Sequence, residues 1–205
     1  MAFFLGAPRV DELGLLSYLG GSDLWFALLI RSFVLMASLF VNAICTLLAL
    51  NATPGIGTKR FESLLARFGS LEEIRASSPQ EWGWGARIAE EWVRTCREAK
   101  GEREWEMAKK WGIQIILCTD SLYPPSLRLL PDYPLVLYVQ GKLPEHLARS
   151  VGIVGTRTAS SYGREMAYLF AKEIAGHARP IISGLARGID TAAHEGALQT
   201  GETVA

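Results

Sequence analysis

The chain has 205 residues, of which 49% are hydrophobic, and this is enough to build one large domain or two small ones around a packed core. Its 21 basic and 21 acidic residues give a formal net charge of zero, so no overall field attracts a polyanion. The three cysteines and three histidines are scattered, without metal-ligand or disulfide spacing, so we predict no metal site and a reducing cytoplasmic location.

The first predicted element is an uncharged run of nineteen residues, 32–50, which has the length of a membrane-spanning helix. Polar residues inside the run, Asn42 among them, and its unbroken passage into the motif at 53–57 favour the buried first helix of a small helical domain. A membrane-tethered adaptor, which rests on residues 24–50 alone, is an alternative. No secretory signal is predicted, because the apolar run starts late and no cleavage site follows it.

Three segments make up the predicted domain organisation. Residues 1–35 form an extension of doubtful origin, because we expect natural translation to start at Met36. Residues 36–111 form a helical domain, and residues 112–205 form an α/β domain. The sequence stops at a third predicted strand of that domain, so we expect the chain to be part of a larger sheet.

The helical domain contains two glycine hairpins of the pattern Gly-x-Gly. The first, PGIG at 54–57, precedes a helix that ends at Gly69, and the amino terminus of such a helix attracts anions. Lys59 and Arg60 stand beside it, where they can contact phosphate without reading bases. The second hairpin, WGWG at 82–85, carries two tryptophans that are typical of a core. The alternative is therefore that both hairpins are only corners between packed helices.

A charged helix is predicted from Ala86 to Trp111, and two apolar strands follow it at 112–120 and 135–139. Four prolines lie between these strands and exclude a helix there, because proline restricts its own backbone and that of the preceding residue. The two strands are therefore joined by an extended, irregular segment.

The remaining chain alternates strands and helices. Strands are predicted at 151–154, at 180–183 and within 201–205, with helices at 163–178 and 191–200 between them. This order predicts an α/β fold with parallel strands joined by right-handed crossovers. In such sheets, ligands collect at the carboxyl ends of the strands.

Two glycine-rich loops lie at those ends, and each carries small hydroxyl side chains and one arginine. Glycine lets backbone N–H groups approach an anion, and each guanidinium can donate two hydrogen bonds to phosphate oxygens. Two such sites on neighbouring strands indicate a ligand with repeating phosphates. The candidate residues are Gly155, Thr156, Arg157, Ser160 and Ser161 in the first loop, and Gly184, Arg187 and Gly188 in the second.

The other common ligands of glycine-rich loops are not indicated. The glycines do not have the G-x-G-x-x-G spacing, and no acidic residue follows the strand at 180–183 to hold a ribose. The pattern G-x-x-x-x-G-K-[ST] is also missing from the sequence, so we predict no nicotinamide, flavin or P-loop nucleotide and hence no cofactor. From Lys142 to Arg187, seven basic and three acidic residues give a local net charge of +4, which suits nucleic acid.

Two functions from different classes remain open at this point. A binding protein whose groove follows a sugar-phosphate backbone needs only the loops, with Tyr162 as a candidate for base stacking. An enzyme acting on a nucleoside monophosphate needs a general acid or nucleophile, for which Glu165, Asp190 and His194 are the candidates. We interpret His194 as a packing or orienting residue, and we expect Asp190 or Thr191 to cap the last helix.

The motifs of both halves resemble those of one known family, the DNA-processing protein A family, also called Smf. The resemblance covers residues 46–205, and it rests on SVGIVGTRTASSYGREMA at 150–167, PIISGLARGIDTAAHEGAL at 180–198, PGIGTKRFESLLARFGS at 54–70 and LYPPSLRLLPDYPLVLYVQG at 122–141. The Gly-Ser-Arg corner of the family maps to Gly155, Thr156 and Arg157, where threonine keeps the hydroxyl group. Its second signature maps to residues 183–190.

The resemblance implies a small helix-hairpin-helix or SAM-like domain followed by a Rossmann-like α/β domain, whose parallel sheet is incomplete in this chain. It also implies a non-catalytic protein that binds single-stranded DNA taken up in natural transformation, protects it from nucleases and helps to load the recombinase RecA. Members of full length are implied to be homodimers. The remaining part of the family's sheet, with further DNA and self-association contacts, and any winged-helix tail lie beyond this sequence.

Overall fold

The structure is a computed structural model that describes residues 41–205, together with Leu29 and Ser32. The predicted extension at 1–35 and the translation start at Met36 lie outside the described residues. Of the helices in the described part of the chain, none combines the length and the apolar composition that crossing a membrane requires.

Helix α1, at residues 41–51, forms the centre of the front half. Residues 44–50 are each 4% exposed or less, so the helix is covered on every side. A helix that is apolar all round is stable only when other elements surround it. This is the buried first helix that the sequence predicts.

Helix α2 (Thr58–Phe68) follows the first glycine hairpin and buries one face, which includes Phe61 and Leu64. It ends at Gly69, whose φ of 83° is a conformation that glycine adopts without steric cost. The backbone N–H of Gly69 donates to the Leu65 carbonyl oxygen and closes the last turn. The predicted end of this helix is confirmed.

The next two elements are short. Helix α3 (Leu71–Ala76) begins after Ser70, whose hydroxyl oxygen accepts a hydrogen bond from the backbone N–H of Glu73 at 3.1 Å. A 3₁₀ helix at Pro79–Trp82 then leads into the second hairpin and buries Trp82 in the core.

The charged segment that the sequence predicts as one helix consists of two, α4 (Ala86–Arg97) and α5 (Lys100–Lys110). The chain breaks at Ala99, whose φ of 50° places an alanine in the left-handed region. Beyond the break, α5 crosses α1 so closely that a methyl group at Gly101 would lie 2.1 Å from a carbonyl oxygen of α1. The position of this crossing, and not local helix propensity, separates the two helices.

Strands β1 (Gln114–Leu117) and β2 (Val136–Val139) form a two-stranded antiparallel sheet, and the segment between them is irregular except for a 3₁₀ turn at Leu127–Leu129. The predicted absence of a helix between the strands is confirmed up to this single turn. The inner side chains of the sheet share one hydrophobic core with the helices, and this core includes Leu47, Phe61, Trp92, Ile116, Leu117 and Val136.

The second sheet has three parallel strands, β3 (Val151–Gly152), β4 (Ile181–Ile182) and β5 (Thr203–Val204), in the order β3-β4-β5. Each strand is two residues long, and backbone hydrogen bonds continue the pairing beyond it. For example, the Ile153 N–H donates to the Ile182 carbonyl oxygen at 3.0 Å, and the Ser183 N–H donates to that of Val204 at 3.0 Å. The predicted parallel order is confirmed.

Helices α6 (Ser161–Gly176) and α7 (Ile189–Ala197) connect these strands and pack against each other on one face of the sheet. Their backbones approach closely, because a methyl group at Gly196 would lie 2.2 Å from the Tyr168 carbonyl oxygen. Small side chains fill the space between helices and sheet: Ala171, Ala175, Ala193 and Ala197 surround Ile181. The structure thus has a front half whose helices share one core with the antiparallel sheet, and a back half in which helices pack on the parallel sheet.

Candidate nucleic-acid interface

Two loops follow the first two strands of the parallel sheet at their carboxyl ends. The first loop comprises residues 153–160 and leads from β3 into α6, and the second loop comprises residues 183–188 and leads from β4 into α7. Since β3 and β4 are neighbours and parallel, both loops emerge at the same edge of the sheet.

The carboxylate of Asp190 joins the two loops. One of its oxygens, Oδ1, accepts a hydrogen bond from the Gly155 backbone N–H at 3.1 Å, and Oδ2 accepts one from the Gly184 N–H at 3.2 Å. Asp190 lies in the first turn of α7 and is only 5% exposed. The N–H groups of both glycines therefore serve an internal carboxylate, whereas the sequence led us to expect them to face an external anion.

Close packing of the backbone holds the same loops together. A methyl group at Gly188 would lie 2.3 Å from the Thr156 carbonyl oxygen and 2.8 Å from that of Arg157. A methyl group at Gly155 would lie 2.6 Å from the side chain of Ile189. These two positions require glycine because the second loop lies directly against the first.

Both loop arginines are exposed at this edge. Arg157 and Arg187 are each adjacent to the point where Gly188 meets the first loop. Within residues 41–205, neither guanidinium donates a hydrogen bond or lies within 4.0 Å of a carboxylate oxygen. The structure thus places two exposed, unpaired arginines on loops whose backbones are in contact.

The hydroxyl side chains of the loops have mainly local roles. Thr156 Oγ1 accepts a hydrogen bond from the Thr158 N–H at 3.2 Å, and Ser160 caps α6 by accepting one from the Gly163 N–H at 3.1 Å. Ser183 is buried and donates to the Ile153 carbonyl oxygen at 2.6 Å. Ser161, in contrast, is exposed at the start of α6.

The start of α7 differs from the expectation that Asp190 or Thr191 caps it. The N-cap is Gly188, and its side chain cannot take part. Thr191 donates instead to the Ala186 carbonyl oxygen at 2.7 Å, which tightens the second loop. The prediction of the cap is wrong because Asp190 and Thr191 are the second and third residues of the helix and use their side chains for the loops.

His194 is buried against strand β5. It is 7% exposed, and its Nδ1 lies 2.7 Å from the Thr203 hydroxyl oxygen of β5. The other ring nitrogen, Nε2, is buried without a hydrogen-bond partner. This placement supports our interpretation of His194 as a packing residue.

The basic pair of the front half lies in a different environment. The Arg60 guanidinium donates to the Gly55 carbonyl oxygen, and its central carbon lies 5.6 Å from the ring centre of Trp84. Since Gly55 belongs to the first glycine hairpin and Trp84 to the second, Arg60 links the two hairpins to each other. Lys59 is exposed. In the described chain, no hydrogen bond or ion pair connects either residue to the two loops of the sheet.

The thiols are unsuited to reaction or metal binding because burial keeps them protonated. Burial raises the pKa of Cys45 and of Cys118 from 9.0 to about 11, and it also raises the pKa of Cys96. Over the residues that the structure describes, no three His, Cys, Asp or Glu side chains are grouped so that they could hold a metal ion.

One functional contact was missed in the sequence, namely the bond of Asp190 to both loops. A signal was present, because Asp190 is the sole acidic residue between Glu173 and Glu195. It also falls on the same helical face as Ala193 and Ala197, both of which are buried. A buried carboxylate is costly unless it accepts hydrogen bonds, and here the backbone N–H groups of Gly155 and Gly184 supply them.

Comparison with known proteins gives a family for the back half and a fold for most of the chain. Residues 114–205 match the family described as DNA recombination-mediator protein A. Protein Smf of Escherichia coli K12 is 41% identical over 85 residues, which are 42% of this chain and 23% of that protein. The DNA processing protein DprA of Bacillus subtilis 168 is 35% identical over 98 residues, which are 47% of this chain and 33% of that protein.

A solved structure extends the likeness into the helical half. The X-ray structure of DNA processing protein A from Streptococcus pneumoniae matches 76% of this chain and 54% of its own length, with a TM-score of 0.59 and 24% identity. At that identity the match establishes a shared fold. The chain spans less than half the length of the two curated relatives described above.

Proposed function

The α/β half of this chain belongs to the DprA/Smf family, and from that membership and the geometry of its two loops we propose that the protein binds single-stranded DNA. One observation carries the proposal: Asp190 and Gly188 hold the loops together, while Arg157 and Arg187 stay exposed and unpaired among the described residues. An exposed guanidinium without a carboxylate partner is free to bind phosphate.

The arrangement suits a nucleic-acid backbone better than a single nucleotide. Two cations on adjoining loops match a ligand with successive phosphates, and no side chain placed to read a base edge is needed for such binding. The attraction comes from phosphate charge and released counterions, so binding is expected to weaken with salt and to depend little on sequence. Candidate contacts are Arg157 and Arg187, with Thr156, Ser160, Ser161 and Gly188 beside them, whereas the N–H groups of Gly155 and Gly184 are taken by Asp190.

The wider role follows from the family. We infer that the protein acts in natural transformation and recombination, where it shields incoming single strands and helps to load a RecA-type recombinase. A homodimer in the longer family members and a cytoplasmic location belong to the same proposal. The names of the relatives, protein Smf and DNA processing protein DprA, support a role in DNA processing.

A non-catalytic role is supported by the environment of the candidate acids and bases. Asp190 uses both carboxylate oxygens to hold the loops, and His194 is buried against β5. Glu165 is exposed on α6 and makes no ion pair or side-chain hydrogen bond with another described residue. General acid–base catalysis needs a group within hydrogen-bond reach of the reacting atom, which favours binding over nucleotide turnover.

The first test is the loss of binding when either loop arginine is removed. Arg157→Ala and Arg187→Ala are each expected to weaken binding of a labelled oligo(dT) of about 20 nucleotides by about 1–3 kcal/mol at low salt, the usual range for a charge-assisted contact. Each is also expected to lower the slope of log affinity against log salt by about 1. Fluorescence anisotropy of the 205-residue chain measures both quantities.

Matched controls are available at the opposite end of the same strands. Arg149 and Arg179 are exposed arginines just before β3 and β4. Among the described residues, neither of them forms an ion pair. Arg149→Ala and Arg179→Ala are expected to leave binding nearly unchanged. If these substitutions weaken binding while Arg157→Ala and Arg187→Ala do not, DNA binds at the amino ends of the strands and the assignment to the two loops is wrong. Turnover of mononucleotides by the unmodified chain would instead favour an enzyme.

A further inference from the structure

Helix α6 has two apolar faces that point in opposite directions. Its inner face, with Ala167, Ala171 and Ala175, is buried against the sheet and α7. On the other side four apolar side chains recur at helical spacing, and we name them the outer stripe: Tyr162, Met166, Leu169 and Phe170. Tyr162 is 72% exposed, Leu169 47% and Phe170 57%, with Met166 half-buried between them.

This pattern is unusual for a helix at the surface of a domain. Such helices normally place charged and polar residues on the side away from the core. A contiguous exposed apolar patch marks a surface that binds something. The outer stripe is also aromatic at both ends, which distinguishes it from a surface suited only to aliphatic packing.

The position of the stripe indicates what it binds. Helix α6 starts immediately after the first loop and is capped there by Ser160, so Tyr162 lies in the turn nearest to Arg157. Arg164, on the same first turns, folds back and donates to the Ala159 carbonyl oxygen at 2.6 Å, which fixes this junction. The stripe is therefore continuous with the surface that carries the unpaired loop arginines.

The length of the stripe fits several nucleotides. Phe170 is eight residues beyond Tyr162, which is about 12 Å along a helix with a rise of about 1.5 Å per residue. At about 3.4 Å per stacked nucleotide, this distance corresponds to about three or four bases. The exposed side chain of Lys172 lies beside the stripe, whereas Arg164 lies on the other side of the helix. Glu165 and Glu173 are exposed on the same side as the stripe, and Glu173 pairs with His177 at 3.2 Å, so the phosphates are left to the loop arginines and the stripe contributes its apolar side chains.

We propose that the outer stripe of α6 is a base-stacking surface for the unpaired bases of the strand whose phosphates the two loops bind. The proposal rests on the proposed function and adds the surface that distinguishes a single strand from a duplex. Every base offers a flat π-face to an aromatic ring, so such stacking tolerates any sequence, and a methionine adds a polarisable contact to the same surface. In a duplex these faces are covered by neighbouring bases and are not available.

The test compares two ligands that carry the same phosphates. One is oligo(dT), and the other is an abasic oligonucleotide of equal length, which has the backbone but no bases. The double substitution Tyr162→Ala with Phe170→Ala is expected to weaken binding of oligo(dT) about tenfold or more, because each stacked ring contributes substantially to affinity. It is expected to leave binding of the abasic ligand unchanged. Tyr162→Phe keeps the ring and is expected to bind both ligands as the unmodified chain does.

The control substitution is Leu198→Ala, which removes an exposed apolar side chain just after α7 and away from the stripe. It is expected to change neither affinity. Circular dichroism of each variant verifies the fold, and all substituted side chains are at the surface.

The outcomes separate this proposal from the one it rests on. If the double substitution does not change binding of oligo(dT) while Arg157→Ala weakens both ligands, the stripe is not a stacking surface and the loop assignment stands. If Arg157→Ala weakens neither ligand, the loop assignment itself fails. Analytical ultracentrifugation tests the alternative that a second copy of this chain occupies the stripe. If the double substitution dissociates a dimer and the chain still binds oligo(dT) more tightly than the abasic ligand, the stripe is a dimer interface and the stacking proposal is overturned.

Discussion

The carboxylate of Asp190 determines how far apart the two loops lie. Each of its oxygens accepts one backbone N–H, from Gly155 and from Gly184, and the side chain is nearly inaccessible to water. Because the donors belong to different loops, this one side chain acts as a cross-link between segments that are about thirty residues apart. The arginines are exposed, but their spacing is set by a residue that the ligand does not contact.

The importance of this cross-link is testable with Asp190→Asn. An asparagine keeps the shape but has one acceptor oxygen in place of two, so one glycine N–H would face an NH₂ group. We expect a loss of about 1–3 kcal/mol in the free energy of unfolding, measured by urea denaturation, and weaker binding of oligo(dT). Glu195→Gln, an exposed neutralisation on the same helix, is the matched control. Equal stability of the Asp190→Asn variant and the unmodified chain would contradict the cross-link.

At this scale the sequence predicts what depends on residue type and local order. It identified Arg157 and Arg187 as exposed cations, and Gly69 as a helix end, because both follow from side-chain chemistry and adjacent residues. It did not identify the hydrogen bonds of Asp190 or the link between Arg60 and the two hairpins. Those contacts depend on distances between segments that only the folded chain brings together.

Among the secondary-structure elements, the break between α4 and α5 shows how a tertiary contact overrides helix propensity. The residues around the break, Glu98 to Lys100, are ordinary helix formers without glycine or proline, and the sequence therefore predicted one continuous helix. The chain instead places Ala99 in the left-handed region so that Gly101 can meet α1. The reason for the break lies in a different helix, which local pattern does not reveal.

Two substitutions on either side of this break are expected to act in opposite directions. Ala99→Gly relieves a left-handed alanine and is expected to stabilise the chain by up to about 1 kcal/mol. Gly101→Ala puts a methyl group 2.1 Å from the Cys45 carbonyl oxygen and is expected to destabilise it by about 2 kcal/mol or more. Gly152→Ala, in open space on β3, is the control and is expected to be near neutral. Urea denaturation measures all three, and a neutral Gly101→Ala would refute the close crossing.

The whole molecule has two hydrophobic cores of different character. The front core joins the helices to the antiparallel sheet and contains large side chains, including Tyr123 and Trp92, whereas the back core consists of alanines around Ile181. Small side chains allow α6 and α7 to approach, but they bury less apolar area. The elements of both halves were predictable from hydrophobic pattern. The core that the first sheet shares with the helices was not predictable. The hydrophobic pattern of an element shows which of its faces is buried, but it does not show which other element covers that face.

The front core is expected to weaken at alkaline pH. Burial raises the pKa of the Cys45 and Cys118 thiols from 9.0 to about 11, so the unfolded chain releases these protons first as the pH increases. The stabilising contribution is therefore complete below pH 9 and is lost as the pH rises toward 11. All six tryptophans precede residue 112, so tryptophan fluorescence reports on this half. We expect a lower urea midpoint at pH 10 than at pH 8, and a smaller decrease in a Cys45→Ala and Cys118→Ala variant.

The direct contact of Gly188 with the backbone of the first loop has a consequence for ligand valency. Because the two loops are fixed against each other, a chain that has placed one phosphate on Arg157 presents the next to Arg187 at a high effective concentration. A mononucleotide gains nothing from this chelate effect. Affinity should therefore rise steeply between one phosphate and the first oligomer long enough to engage both guanidiniums, and only gradually with further length.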